Sequence, residues 1–140
     1  MEEIWKPIIG YENCYEVSSF GRIRSFEKEI PHGFYKGRTK ILKARYKKFG
    51  KSNGYQNVTL SKNGIGKCFL VHRIVAINFI PNPKNKKTVN HINGNKKDNR
   101  VTNLQWHTSS EQAIHALETG LRIIKRCETT GRFLSERKRY

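Results

Sequence analysis

The amino-acid sequence predicts a small α+β fold: an N-terminal region of antiparallel β-hairpins, then a core of strand, long loop, strand and helix. Three features lead there. Up to Gly66, short segments rich in aromatic and β-branched residues alternate with turn formers. Apolar residues then recur at helical spacing, at Val71, Ile74, Val75 and Phe79. Finally, two short apolar segments, Thr88 to His91 and Leu104 to His107, flank a polar loop and lead into a second helix.

In order along the chain, "EIWKPIIGYENCYEVSSFGRIRS" places turn formers at Pro7, Gly10, Asn13, Ser18, Ser19 and Gly21. Tyr15, Val17, Ile23 and Phe26 suit a hairpin buried on one face. Lys36 to Lys51 holds eight basic residues and no acid, interleaved with Tyr46 and Phe49 and preceded by Tyr35. Such a run is expected to be a solvated surface that tracks phosphates. Tyr55 to Leu60 and Lys67 to Leu70 form a second hairpin around the turn Ser61 to Gly66. The helix Val71 to Phe79 stops at "IPNP", because proline has no amide hydrogen and restricts the residue before it. Thr108 with Glu111 fits a capping box for the second helix, and Gly120 fits a left-handed cap at its end. The expected division is residues 1–66 as a basic β-rich DNA-binding region, 67–120 as the core domain and 121–140 as a basic arm or incomplete module. The arm carries seven basic and two acidic side chains.

A chain of 140 residues holds one compact domain, or one small domain with an arm. Its formal charge of +17 makes nucleic acid the first partner to expect. No segment approaches the roughly 18 continuous apolar residues of a membrane span. The start "MEEIWKPIIGYE" lacks the basic and apolar regions of a secretory signal, so a cytosolic location is expected. Cys14, Cys68 and Cys127 are odd in number and never form a C-x-x-C pair, so reduced thiols are expected.

Hydrolysing a phosphodiester needs an activated water, a cation to stabilise developing charge and a grip on flanking phosphates. His91 as general base, with amide oxygens of Asn90 and Gln112 on a divalent ion, would meet those needs. Oxygen donors favour Mg²⁺ or Mn²⁺ over zinc.

The segments "VHRIVAINFIPNP", "VNHINGNKKDNRVTNLQW" and "TSSEQAIHA" resemble, in order and spacing, the HNH endonucleases of phages and mobile introns, which have a ββα-metal fold. The resemblance implies His91 as general base. It makes Asn103, of the "NL" pair, the residue that holds the loop and orients that base, and it assigns the ion to Asn90 and Gln112. His115, one turn beyond Gln112, is a further metal candidate and His107 a more remote one. Some family members have aspartate at the position of Asn90, and the helix position is usually asparagine or histidine rather than Gln112. The N-terminal segment is similar to the modular element that often precedes such nucleases and is implicated in DNA binding, through Trp5-Lys-Pro7, Tyr15-Glu-Val17 and Gly21-Arg22-Ile23-Arg24. Residues 127–140 resemble the opening strand pair of a C-terminal helix-turn-helix module.

The expected function is therefore metal-dependent cleavage or nicking of double-stranded DNA by a monomer, with a dimer as the alternative. Arg22 and Arg24 are candidates for base edges or the minor groove. Lys36, Arg38, Lys40, Lys43, Arg45, Lys47 and Lys48 are candidates for backbone contact. His72 reads as a packing or capping residue, and Asn93, Asn95 and Asn99 as turn formers. The rivals are a non-cleaving DNA-binding regulator on the same scaffold and an RNA-binding protein.

Overall fold

The alternating apolar residues of the N-terminal half are realised as short antiparallel ribbons. The computed structural model describes residues 2–34 and 36–120, together with the backbone course of Arg122–Arg126 and Phe133–Arg137. Strands β1 (Trp5–Pro7), β2 (Tyr15–Ser18) and β3 (Ile23–Ser25) form one sheet in that order. Strands β4 (Lys28–Pro31) and β5 (Thr39–Leu42) form a separate ribbon. The third sheet, β6 (Gly50–Ser52), β7 (Tyr55–Lys62) and β8 (Ile65–Leu70), turns at two Asn-Gly pairs. Asn53 and Gly54 hold φ of 50° and 82°, and Asn63 and Gly64 hold 53° and 78°. Two successive positive φ angles are what a tight two-residue hairpin turn demands.

Strand β8 passes without a loop into helix α1 (Val71–Phe79), so the division expected after residue 66 falls inside a strand. Strands β9 (Thr88–His91) and β10 (Leu104–His107) pair antiparallel, with Leu104 opposite His91 and Gln105 opposite Asn90. A single 3-10 turn at Val101–Asn103 delivers the chain into β10. Helix α2 (Ser109–Glu118) starts on the capping box its sequence predicts. The Glu111 amide donates to Thr108 Oγ1 at 3.2 Å, and the Thr108 amide donates to Glu111 Oε2 at 2.8 Å. Gly120 follows with φ of 67°.

The chain ends in the ribbon β11 (Arg122–Arg126) and β12 (Phe133–Arg137). The strand pair expected within residues 127–140 thus begins earlier, where the β-branched Ile123 and Ile124 favour an extended chain. Tyr35 and Cys127 lie outside the described residues. Cys14 and Cys68 are free thiols, and no described helix is long and apolar enough to cross a membrane.

One core joins the two halves. Val17 and Ile23 from the first sheet, Val58 and Leu60 from β7, and Val71 and Val75 from α1 are buried together with Val89, Leu104 and Trp106 of the β9–β10 hairpin. Burying such a side chain is worth roughly 1.5–3 kcal/mol. Helix α1 is therefore the shared wall between the N-terminal sheets and the strand pair. Polar links reinforce it: Trp106 Nε1 donates to the Ile80 carbonyl at 3.0 Å, and the Ile9 amide donates to Asn78 Oδ1 at 3.2 Å.

Candidate active site

The pleat of a strand sends successive side chains to opposite faces. At the end of β9 this separates His91, which faces α1 and β7, from Asn90, which faces α2. His91 is almost fully buried, its ring centroid 5.0 Å from that of His72 and 5.9 Å from that of Tyr55. His91 Nε2 lies 3.2 Å from Asn99 Oδ1, while Asn99 Nδ2 donates to Gln56 Oε1 at 2.6 Å and to the Lys97 carbonyl at 3.4 Å. Burial pushes the His91 pKa below the ordinary histidine value, against the opposing pull of the Asn99 hydrogen bond and the Asp98 charge. Burial also takes His72 down to about 4, helped by the neighbouring positive charges of His91 and Arg73. Both rings are thus held neutral near pH 7, and a general base has to start in that state.

The loop between β9 and β10 is knotted at Asn103. Its Nδ2 donates to Asn93 Oδ1 at 2.9 Å and to the Asp98 carbonyl at 2.8 Å, and its Oδ1 accepts from the Asn93 amide at 3.0 Å. The Ile92 amide donates to the Asn103 carbonyl at 2.9 Å, fixing the residue after His91. Arg100 clamps Asp98 through two hydrogen bonds of 2.8 and 2.7 Å and holds its carboxyl down to about 2. Gly21 approaches the same loop so closely that a Cβ there would lie 2.8 Å from Asn99 Cβ.

Asn99 is the residue that sequence reasoning misplaced. It is not merely a turn former, because its buried amide bridges His91 and β7. Gln56 and Tyr55 were missed altogether. The Asn53-Gly54 turn is the signal that positions them, since it fixes where β7 begins. His72 is a packing residue, as expected, and not a cap: Leu70 holds the N-cap position of α1 with no side-chain bond.

On the other face, Asn90 Nδ2 donates to His115 Nδ1 at 3.1 Å, and the His115 ring lies 5.8 Å from that of His107. Gln112 precedes His115 by three residues and so shares its side of α2. The structure therefore brings Asn90 and His115 together, with Gln112 about one turn before His115 on α2. Among the described residues no cluster of three or more His, Cys, Asp or Glu side chains could hold an ion. Binding at this site would fall to neutral amides and an imidazole. Neutral oxygen donors suit a hard divalent ion whose shell is completed by phosphates and water.

The basic residues divide in two. Arg22 is paired with Glu3, and Arg24 with Glu16 directly across the β2–β3 ladder. The Arg24 guanidinium also sits 4.0 Å from the centre of the Trp5 ring. Each arginine would have to exchange an internal partner for a base edge or phosphate. Lys36, Arg38, Lys40 and Lys43 lie exposed on or beside the β4–β5 ribbon. Arg45, Lys47 and Lys48 line an open cleft of about 520 Å³ with Tyr15, Asn57 and Thr59, apart from the residues around His91.

Comparison with known proteins draws these parts together. The NUMOD4 motif matches residues 3–61 and the HNH endonuclease model matches residues 69–114. DNA endonuclease I-HmuI of Bacillus phage SP01 is 32% identical over 133 residues, spanning 95% of this chain and 68% of that protein. The chain belongs to the HNH endonuclease family. An uncharacterized HNH endonuclease of Acanthamoeba polyphaga mimivirus, L247, is 40% identical over 124 residues; the chain spans 27% of its length, and 32% of the length of a second mimivirus relative, L245. A solved structure of DNA binding and cleavage by the HNH homing endonuclease I-HmuI matches with a TM-score of 0.67 at 35% identity, covering 86% of this chain and 60% of that one. The HNH-matched segment begins inside β8 and ends within α2, so it holds His72, Asn90, His91, Asn99, Asn103 and Gln112. His115 lies one residue beyond it.

Proposed function

We propose that this chain is a divalent-metal-dependent endonuclease that cleaves or nicks double-stranded DNA, with His91 as the general base. The observation that carries the reading is a neutral, buried His91 hydrogen-bonded into a loop that Asn103 ties shut, on a chain of the HNH endonuclease family. Family members generally depend on a divalent metal. Here Asn90 and Gln112 would hold a Mg²⁺ or Mn²⁺ ion through their amide oxygens, with His115 beside them. Asn90 fits that role because its amide nitrogen is already engaged by His115, leaving the oxygen as its acceptor. When bound, the ion would stabilise charge developing on the phosphate and on the leaving oxygen.

The rest falls to the chain's own groups. His91 takes the proton from the attacking water. It follows Asn90 directly at the end of β9, about 3.8 Å away between Cα atoms, so the proposed base and ion sites flank the strand's end although the two side chains leave opposite faces. Asn103 keeps the loop from releasing the ring. The cations from Lys36 to Lys48 grip the backbone, and with one centre per chain a single binding event cuts one strand. Residues 1–66 serve chiefly as the DNA-binding part, with Arg22 and Arg24 exchanging their carboxylate partners on contact.

The test is conversion of supercoiled plasmid carrying a randomised target to open circle or linear form, with Mg²⁺ or Mn²⁺. The chain nicks, and His91→Ala lowers the rate by about a hundredfold or more, the worth of a positioned base. Equal cleavage by both proteins would remove His91 from the mechanism. Binding of DNA without cleavage by either would favour a non-cleaving regulator, the reading that the carboxylate-free pair Asn90 and Gln112 supports.

A further inference from the structure

We infer that Gln56, on β7 of the N-terminal half, is a positioning residue for His91 and acts through Asn99. The inference rests on the general-base reading and deepens it. It assigns part of the catalytic geometry to a residue inside the NUMOD4-matched segment rather than to the HNH-matched one.

The chain of contacts is short and directional. Asn99 Nδ2 donates to two carbonyl oxygens, the side-chain Oε1 of Gln56 at 2.6 Å and the backbone oxygen of Lys97 at 3.4 Å. A backbone oxygen only accepts, so it fixes which way round the Asn99 amide sits. Asn99 Oδ1 is therefore the atom that meets His91 Nε2 at 3.2 Å. An oxygen acceptor there requires the neutral imidazole to carry its proton on Nε2, which leaves Nδ1 with the lone pair. Gln56 supplies the shorter of the two bonds that hold this orientation. Without it, the amide of Asn99 is held by the long Lys97 contact alone.

Independent contacts show that β7 is docked on this loop and does not merely pass it. Lys96 Nζ donates to the Asn53 carbonyl at 3.2 Å and sits 4.5 Å from the centre of the Tyr55 ring. Tyr55 in turn packs against both His72 and His91. From the other side the Val101 amide donates to the Ser19 carbonyl at 2.9 Å, and Gly21 lies against Asn99. Two pieces of the N-terminal half thus close on the loop that carries the partner of the base.

The test uses Gln56→Met, which keeps the volume and removes the acceptor, and Gln56→Glu, which keeps an acceptor, both in the full chain. Gln56→Met lowers the single-turnover cleavage rate about tenfold, the worth of one hydrogen bond, with DNA affinity within about twofold. Gln56→Glu restores most of the rate. A merely structural role would not distinguish the pair by acceptor, and melting temperatures of both variants control for it. Long-range proton–nitrogen NMR of ¹⁵N-histidine-labelled protein, at alkaline pH where imidazole is neutral, supplies a readout without catalysis. The parent shows His91 protonated on Nε2, and Gln56→Met shows a mixture with the Nδ1 form. A parent tautomer protonated on Nδ1, or a Met variant that leaves rate and tautomer unchanged, would overturn the relay. Unimpaired cleavage by His91→Ala would instead remove the general-base reading, while the tautomer shift would still decide the relay.

Discussion

Helices α1 and α2 bracket the same strand pair and could hardly be anchored more differently. Helix α1 buries Val71, His72, Ile74, Val75 and Ala76, whereas α2 buries no residue. The difference passes directly to the two side chains at the end of β9. His91, on the α1 side, is enclosed by His72, Tyr55 and Asn99 and belongs to the core. Asn90, on the α2 side, gives its amide nitrogen to His115, on a helix whose first turn carries a capping box and the Lys86–Glu111 ion pair. On the proposed reading, the base is prepared in advance and the ion-binding half is left to be completed by its ligands. That division suits an enzyme whose substrate phosphates supply part of the metal shell.

Four tests sharpen the contrast. Asn103→Ala, which removes three hydrogen bonds from a nearly buried amide, is expected to cost about 3 kcal/mol of stability in urea unfolding. Asn90→Ala should cost less than about 1 kcal/mol on the same scale; equal losses would break the comparison. The second effect is on pH. Burial holds the His72 pKa down to about 4 in the fold, against 6.5 for an ordinary histidine. Below pH 6.5 the unfolded chain takes up a proton that the folded one refuses, so stability is full above that value and falls as pH drops toward 4. The loss should be roughly 3 kcal/mol, and His72→Phe should remove it from the pH profile of unfolding. Third, Asn90→Asp adds a carboxylate to the ion side and should tighten Mn²⁺ binding about tenfold in calorimetry, leaving the His91 surroundings untouched. The smallest change is expected from Lys47→Ala with Lys48→Ala. It should reduce the salt dependence of DNA binding by about two units of slope at most, without altering the single-turnover rate of bound complex.

The sequence announces the elements better than their partners. Both strands of the β9–β10 pair, both helices and the Thr108–Glu111 cap carry local signals, namely apolar spacing, a proline stop and a capping pair, and each appears at the expected residues. His91, Asn90 and Asn103 stood out because they sit in a recurring pattern of residues. Asn99 did not, since an asparagine in a polar loop is most simply a turn former. What makes it more is Gln56, 43 residues earlier, and that contact exists only once the β6–β7 hairpin has docked. The ion pairs that occupy Arg22 and Arg24 were hidden for a similar reason. Glu16 faces Arg24 only through the register of β2 on β3, which a list of charges does not contain.

The direct passage of β8 into α1 bears on how such proteins can be recombined. A chimera cut between the two matched segments, after residue 61 and before residue 69, would divide the β7–β8 hairpin. It would leave Tyr55 and Gln56 with one parent and His72 and Asn99 with the other. Grafting a new recognition half onto this nuclease half should therefore carry residues 50–70 along with the recipient's own helix, placing the seam ahead of β6 instead of at the apparent module boundary.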